Sequence, residues 1–225
     1  MTIKITDHLF QYGSDKFFRG SAYKMELGTF GEKKDPIGPK AYLAVEGKIR
    51  ASHLAERPIH QGKPMEIDWS SVQKAALEAN GTLKFFGIGV NGGTSFDYEY
   101  AKKAKLKLIN YWINEGPMKA CLNNDADTVR LAMFDEGNDA RVVNEIVIAV
   151  TAELAEELDR NFSSSADVTF AGNELSLSVA VGSSSSTTIT LGEGTCFAYR
   201  MYKVKKWDRK NKLIEDLEDD NKGMG

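Results

Sequence analysis

The run Ile146-Val-Ile-Ala-Val150 restricts the fold more than any other stretch of the chain. It is apolar on both sides of a period-two reading. A strand can be apolar on both faces only inside a sheet that is covered above and below. Arg141 to Val150 is therefore expected to be a central strand, with the rest of the fold built around it.

The neighbouring segments supply both strands and helices, but not in regular alternation. Ala41 to Ile49 reads as a strand. Asp68 can cap a short helix whose Trp69, Val72, Ala76 and Leu77 share one face. Thr82 to Val90 and Thr94 to Tyr100 read as strands joined at Asn91-Gly92, a pair suited to a type I′ turn because both positions there need positive φ. Ala104 to Ile113 alternates at first, with Leu106 and Leu108 opposite Lys105 and Lys107. Gly116-Pro117 opens a helix, and a second helical piece covers Ala126 to Phe134. Ala152 to Arg160 is a short acidic helix. Leu175 to Val181, Thr187 to Leu191 and Thr195 to Val204 have the alternation and β-branched content of strands. A doubly wound parallel fold needs regular βα alternation, so it is excluded. The expected class is α+β: a twisted mixed or antiparallel sheet with several short helices packed on it. A length of 225 residues suits one such domain, expected over residues 1–207, with a charged, mobile tail at 208–225.

Composition excludes some functions. A net charge of −3 is unfavourable for general nucleic-acid binding, which draws on phosphate neutralisation. No nucleic-acid partner and no small-molecule substrate is expected. The opening Met1 to His8 has no apolar run before a cleavage site, so a cytoplasmic location is expected. Gly87-Ile-Gly89-Val-Asn-Gly92 matches the dinucleotide fingerprint in letters, but strand-like residues follow it where a helix is needed to face the pyrophosphate. It reads as a glycine-rich hairpin. His8, His53 and His60 have no ligand-spaced partners and read as loop histidines. Cys121 and Cys196 lie on apolar element faces and read as structural thiols. The carboxylates of Glu153 to Asp159 and Asp216 to Asp220 read as solvated faces. No catalytic, cofactor or metal residue is assigned, and the chain is read as a non-enzyme.

Two basic clusters stand out. Lys102, Lys103, Lys105 and Lys107 form one. Arg200, Lys203, Lys205 and Lys206 form the other, with Trp207 beside them. Lysines and arginines with an interfacial aromatic suit anionic lipid headgroups, and lysines on a strand edge also discourage unwanted pairing. These nine residues are the candidate lipid-binding set.

Taken in order, Gly87 to Trp207 resembles the core of gasdermin-type pore-forming domains, the bacterial ones in particular. The similarity runs through Ser95-Phe-Asp-Tyr-Glu-Tyr-Ala-Lys-Lys-Ala-Lys-Leu-Lys-Leu108, the helix at Pro117, the strand Val142 to Val150, and the alternating runs Leu175 to Val181 and Thr187 to Leu191. It ends in Gly194-Thr-Cys-Phe-Ala-Tyr-Arg-Met-Tyr-Lys-Val204, the part most similar to that family. The first half of the chain does not share it, and no cysteine near Met1 matches the acylated one of some bacterial members. The resemblance implies a protein soluble at rest, with anionic lipid and further copies of itself as partners. It implies a short inhibitory C-terminal segment, for which the residues after Asp208 are the candidate. It also implies hairpins that unfurl into a membrane, here Thr82 to Tyr100 and Leu175 to Leu191. The alternative is a soluble, non-enzymatic binding or assembly protein that uses its sheet edge and exposed aromatics.

Overall fold

The computed structural model describes residues 2–35, 40–55, 57–78, 84–85, 94–95, 98–164, 168–171, 175–179, 188–191 and 194–224. The chain opens with strands β1 (Ile3–Ile5), β2 (Leu9–Tyr12), β3 (Asp15–Phe18), β4 (Thr29–Lys34) and β5 (Tyr42–Lys48). Helix α1 (Ala51–Ala55), β6 (Ile59–Gln61), β7 (Met65–Glu66), α2 (Lys74–Glu78), β8 (Lys84–Phe85) and β9 (Thr94–Ser95) follow. Next come α3 (Tyr98–Ala104), β10 (Lys107–Ile113), α4 (Glu115–Asn124), α5 (Asp127–Glu136), β11 (Ala140–Val150) and α6 (Ala152–Ser164). The last strands are β12 (Val168–Ala171), β13 (Leu175–Val179), β14 (Thr188–Leu191), β15 (Cys196–Asp208) and β16 (Leu213–Asp219).

The three long strands β10, β11 and β15 make the spine of a curled antiparallel sheet, in the order β1-β2-β3-β15-β11-β10-β6. The outer edges of this spine are shared. β15 pairs with β3 at Tyr199 and with β16 from Tyr202 onward. β11 pairs with β10 along Glu145–Val150 and with β4 along Ala140–Val142. β10 pairs with both β6 and β7. Each long strand thus changes partner part-way along, which lets the sheet curl rather than extend flat.

The expected central strand is β11, and every one of its residues is buried. Ile146, Ile148 and Val150 join a core with Met118, Cys121 and Leu122 of α4, Met133 of α5 and Leu154 and Leu158 of α6. Val147 and Ala149 join a second core with Phe10, Phe17, Trp69, Phe85 and Phe197. The run is apolar on both faces because a separate core lies on each side. A fully buried Val or Ile contributes about 1.5–3 kcal/mol by leaving water, so this strand is a major source of stability.

Several expectations change. The first forty residues, read as loops and short strands, supply four strands and a buried charge. Arg19 is fully buried. Its guanidinium donates to the carbonyls of Thr6 at 2.6 Å and Ala76 at 2.8 Å, and stacks over Phe197 at 4.4 Å. Burial lowers its pKa to about 10. The Asp68-capped helix is split into a 3-10 turn at Trp69–Ser71 and α2. Thr94 to Tyr100 is β9 followed by the start of α3, so Lys102 and Lys103 lie on a helix and not on a strand edge. The Asn91-Gly92 turn, the Gly87–Gly92 motif and Ser183 to Ser186 lie outside the described residues. β8 and β9 on either side of that turn do pair antiparallel, Lys84 with Ser95 and Phe85 with Thr94. β12, β13 and β14 form an antiparallel meander.

The largest correction is at the C-terminus. The segment after Asp208 is not a mobile tail, because Leu213–Asp219 is β16, paired with β15. Ile214 and Leu217 are each 2% exposed and join the main core, as does Met224. They are three residues apart, and a register shift that skips Glu215 between the Asp216 and Ile214 pairings lets both face inward. The charges between them are the solvent side of an amphipathic strand.

Candidate functional site

Strand β11 also shows where the two basic clusters lie. Lys107 is opposite Val150 at one end of β11, and Lys203 is opposite Arg141 at the other. The nine residue steps from Arg141 to Val150 span about 30 Å of extended chain. The candidate lipid-binding residues therefore form two sites, not one patch. In the first, Lys102, Lys103 and Lys105 are exposed, while Lys107 is bonded to Glu66 at 2.8 Å.

The second cluster is held by the C-terminal strand. Lys203 meets Glu218 at 2.8 Å, Lys205 meets Asp216 at 3.0 Å, and Lys206 contacts Glu215. Hydrogen bonds donated to these carboxylates raise the pKa of Lys205 and Lys206, and the bond from Lys205 lowers that of Asp216. All these pairs are exposed, so each is weak and screened by salt. Trp207 is half-buried and packs edge-on against Phe134 at 5.0 Å. In this arrangement its ring belongs to the core margin and not to an open basic face.

Burial holds β16 in place more than the ladder does. Asp220, 2% exposed, accepts from Lys33 at 2.9 Å and from Arg141 at 2.5 Å. Lys33 also donates to the carbonyl of Lys222 at 2.6 Å. Burial pushes the Asp220 carboxyl up, but the bonds from Arg141 and Lys33 outweigh it and hold it below the usual range. Gly223 completes the latch. Its φ is +83°, and a Cβ there would sit 2.7 Å from the Ala41 Cβ.

Arg200 does not belong with the lysines. It is half-buried at the floor of a polar cleft of about 320 Å³. Its three guanidinium nitrogens donate to the Lys16 carbonyl at 2.8 Å, Glu145 at 3.2 Å and Asp15 at 2.9 Å, and the group lies over the Phe17 ring at 4.3 Å. Glu145, 6% exposed, also accepts from Asn110 at 2.5 Å. Burial raises the Glu145 carboxyl above its usual range; Arg200 and Asn110 oppose that rise and Asp15 adds to it. Asn144, 3% exposed, lines the same cleft. Neighbours on a regular strand point to opposite faces. Here the pairing shifts register between Val143 and Glu145, and this bulge lets Asn144 and Glu145 line one cleft. On another wall, Trp112 stacks on His60 at 5.4 Å, and its indole donates to Asn114 at 3.1 Å.

Sequence reasoning missed this cleft. Its visible sign is the polar pair Asn144-Glu145, which interrupts an otherwise apolar strand. His60, expected in a solvated loop, lies on β6 against Trp112. His53 lies on α1 at the edge of a second cavity of about 490 Å³. Both cysteines are buried, and burial pushes the Cys196 thiol up to about 12, as suits a structural residue. Glu32, Glu46 and Glu136 bring carboxylate oxygens within 4.8 Å of one another at the surface. Lys34 pairs with Glu32 there. Exposed acidic groups of this kind commonly hold no ion, and the cluster supports no metal assignment. Among the described residues no helix is long and apolar enough to cross a membrane.

No family model, curated protein or solved structure matches the chain.

Proposed function

We propose that the protein is membrane-active in the gasdermin-like manner, with its acidic C-terminal strand masking a basic strand until it is displaced. The observation that supports this reading is the ladder between β15 and β16. Three lysines of the candidate lipid-binding set each face a carboxylate of the segment that the family resemblance marks as inhibitory. With that strand in place each of the three lysines is paired with a carboxylate. With it displaced they would present a basic edge to anionic headgroups. Any crossing on this reading is by strands, which must close into a ring because lipid leaves no partner for open backbone groups. A membrane strand takes about 9–11 residues. β13 and β14 have 5 and 4 and would have to lengthen into their flanks.

Truncation before Leu213 would also remove Ile214 and Leu217 from the core and Asp220 from its pairs with Lys33 and Arg141, so it is a poor test. The triple variant Glu215→Gln, Asp216→Asn, Glu218→Gln removes only the ladder. It is expected to sediment with vesicles containing phosphatidylglycerol more than the unmodified protein does, to release their dye, and to lose both effects in high salt. Vesicles of phosphatidylcholine alone should give neither. An intact, folded triple variant that ignores anionic vesicles would sink the proposal.

A further inference from the structure

We propose that the cleft above Arg200 is a binding site for a primary ammonium group, a site independent of the membrane reading. The hydrogen-bond inventory of its walls points to the ligand. Each donor group has at least one partner: Asn110 bonds Glu145, Trp112 bonds Asn114, Asn114 bonds His60, each Arg200 nitrogen bonds one of Lys16, Glu145 and Asp15, the Tyr202 hydroxyl lies 3.5 Å from the Ile113 carbonyl, and the Asn144 side chain bonds Tyr202. What is left is acceptor capacity. The Asn144 Oδ1 is buried and has no hydrogen-bond partner among the described residues. A buried acceptor without a partner is costly, and sites that carry one commonly satisfy it with a ligand or water.

Charge selects among donor-bearing ligands. Asp15, Glu145 and Asp219 put three carboxylates on the cleft, against the single guanidinium of Arg200. That guanidinium is already divided between Asp15 and Glu145. A neutral polyol could supply donors but would leave this excess charge unanswered. An anion would be repelled. An alkylammonium brings three donors and one positive charge, and its methylene chain can lie against the Trp112 indole, where the cation also gains from the ring face. The volume of about 320 Å³ is at the small end of ligand pockets and suits a group of this size. The same chemistry could come from a free amine or from a lysine side chain of another protein.

The test is calorimetric titration of the full chain at low salt with n-butylammonium, with n-butanol as the uncharged analogue. Saturable binding of the amine and none of the alcohol is expected. Asp219→Asn changes an exposed residue outside the core and should weaken binding about tenfold, the loss of roughly one charge-assisted contact. Asn144→Leu should abolish binding while the far-UV circular dichroism stays unchanged. Tighter binding of Nα-acetyl-lysine amide than of n-butylammonium would assign the site to a protein side chain; equal binding would assign it to free amines. No saturable heat with either amine, or equal affinity in Asp219→Asn, would overturn the proposal.

Discussion

Asp220, just past the end of β16, and Glu145, within β11, are both buried carboxylates, yet they are displaced in opposite directions. Asp220 accepts from two cations, Lys33 and Arg141, and is held below the usual carboxylate range. Glu145 shares one arginine with Asp15 and is pushed above it. Desolvation raises both; at Asp220 two cations outweigh it, while at Glu145 one shared arginine and Asn110 do not, and Asp15 adds to the rise. The first arrangement is complete in itself and fastens the C-terminal strand to β4 and β11. The second is left with excess acceptor capacity, and such a site has something to offer a ligand. Burial of a charge is therefore not by itself a sign of either stability or function.

The sharpest break of this comparison is Asp220→Asn. It leaves Arg141 buried without its counter-charge and Lys33 with only the more distant, exposed Asp35 at 3.7 Å, and should cost about 3–5 kcal/mol in chemical denaturation. The pH dependence has a definite sign. A carboxyl whose folded pKa is depressed contributes fully at neutral pH, and the contribution is lost as pH falls through that folded value, below 3.8. The unmodified protein should lose this stability in strong acid, and Asp220→Asn should lack that part of the acid response. A cost under about 1 kcal/mol would mean that the latch does not hold β16.

Gly223→Ala disturbs the same latch without touching a charge. The residue would carry positive φ and crowd Ala41, so a loss of about 1–3 kcal/mol is expected, read as a lowered thermal midpoint. An unchanged midpoint would show that the chain past Asp220 contributes nothing.

The smallest effect is expected at Glu145→Gln, which keeps the shape and most hydrogen bonds but removes the charge. A raised folded pKa means the native state holds a proton more readily than the unfolded chain. Stability then rises as pH falls through the folded value towards the ordinary range, and the ionised group is unfavourable at neutral pH. Glu145→Gln should therefore change stability by less than about 1 kcal/mol at neutral pH, towards gain. A loss as large as that of Asp220→Asn would make the two carboxylates equivalent and end the comparison.

Much of the fold was legible because its signals are local. The two-sided apolar run marked β11 as central, and the covering cores lie on both of its faces. Pro117 lies in the first turn of α4, and the Thr195–Val204 alternation became the first part of β15. The tail was misread because its charges were weighed above its apolar residues: Ile214 and Leu217 are three apart, not two, and only the bulge opposite β15 brings both to the core side of a strand. The nine candidate lipid residues were legible as types, but their grouping was not, since β11 separates them.

By itself the sequence determined the class of fold, the central strand and most helices, because hydrophobic period and turn chemistry act between residues close in the chain. Only the tertiary structure decided where the charges are answered. Lys33 meets Asp220 across 187 residues, and Arg200 meets Asp15 across 185. Electrostatic compensation depends on distance in space and on loss of water, and neither is written in the spacing of residues along the chain.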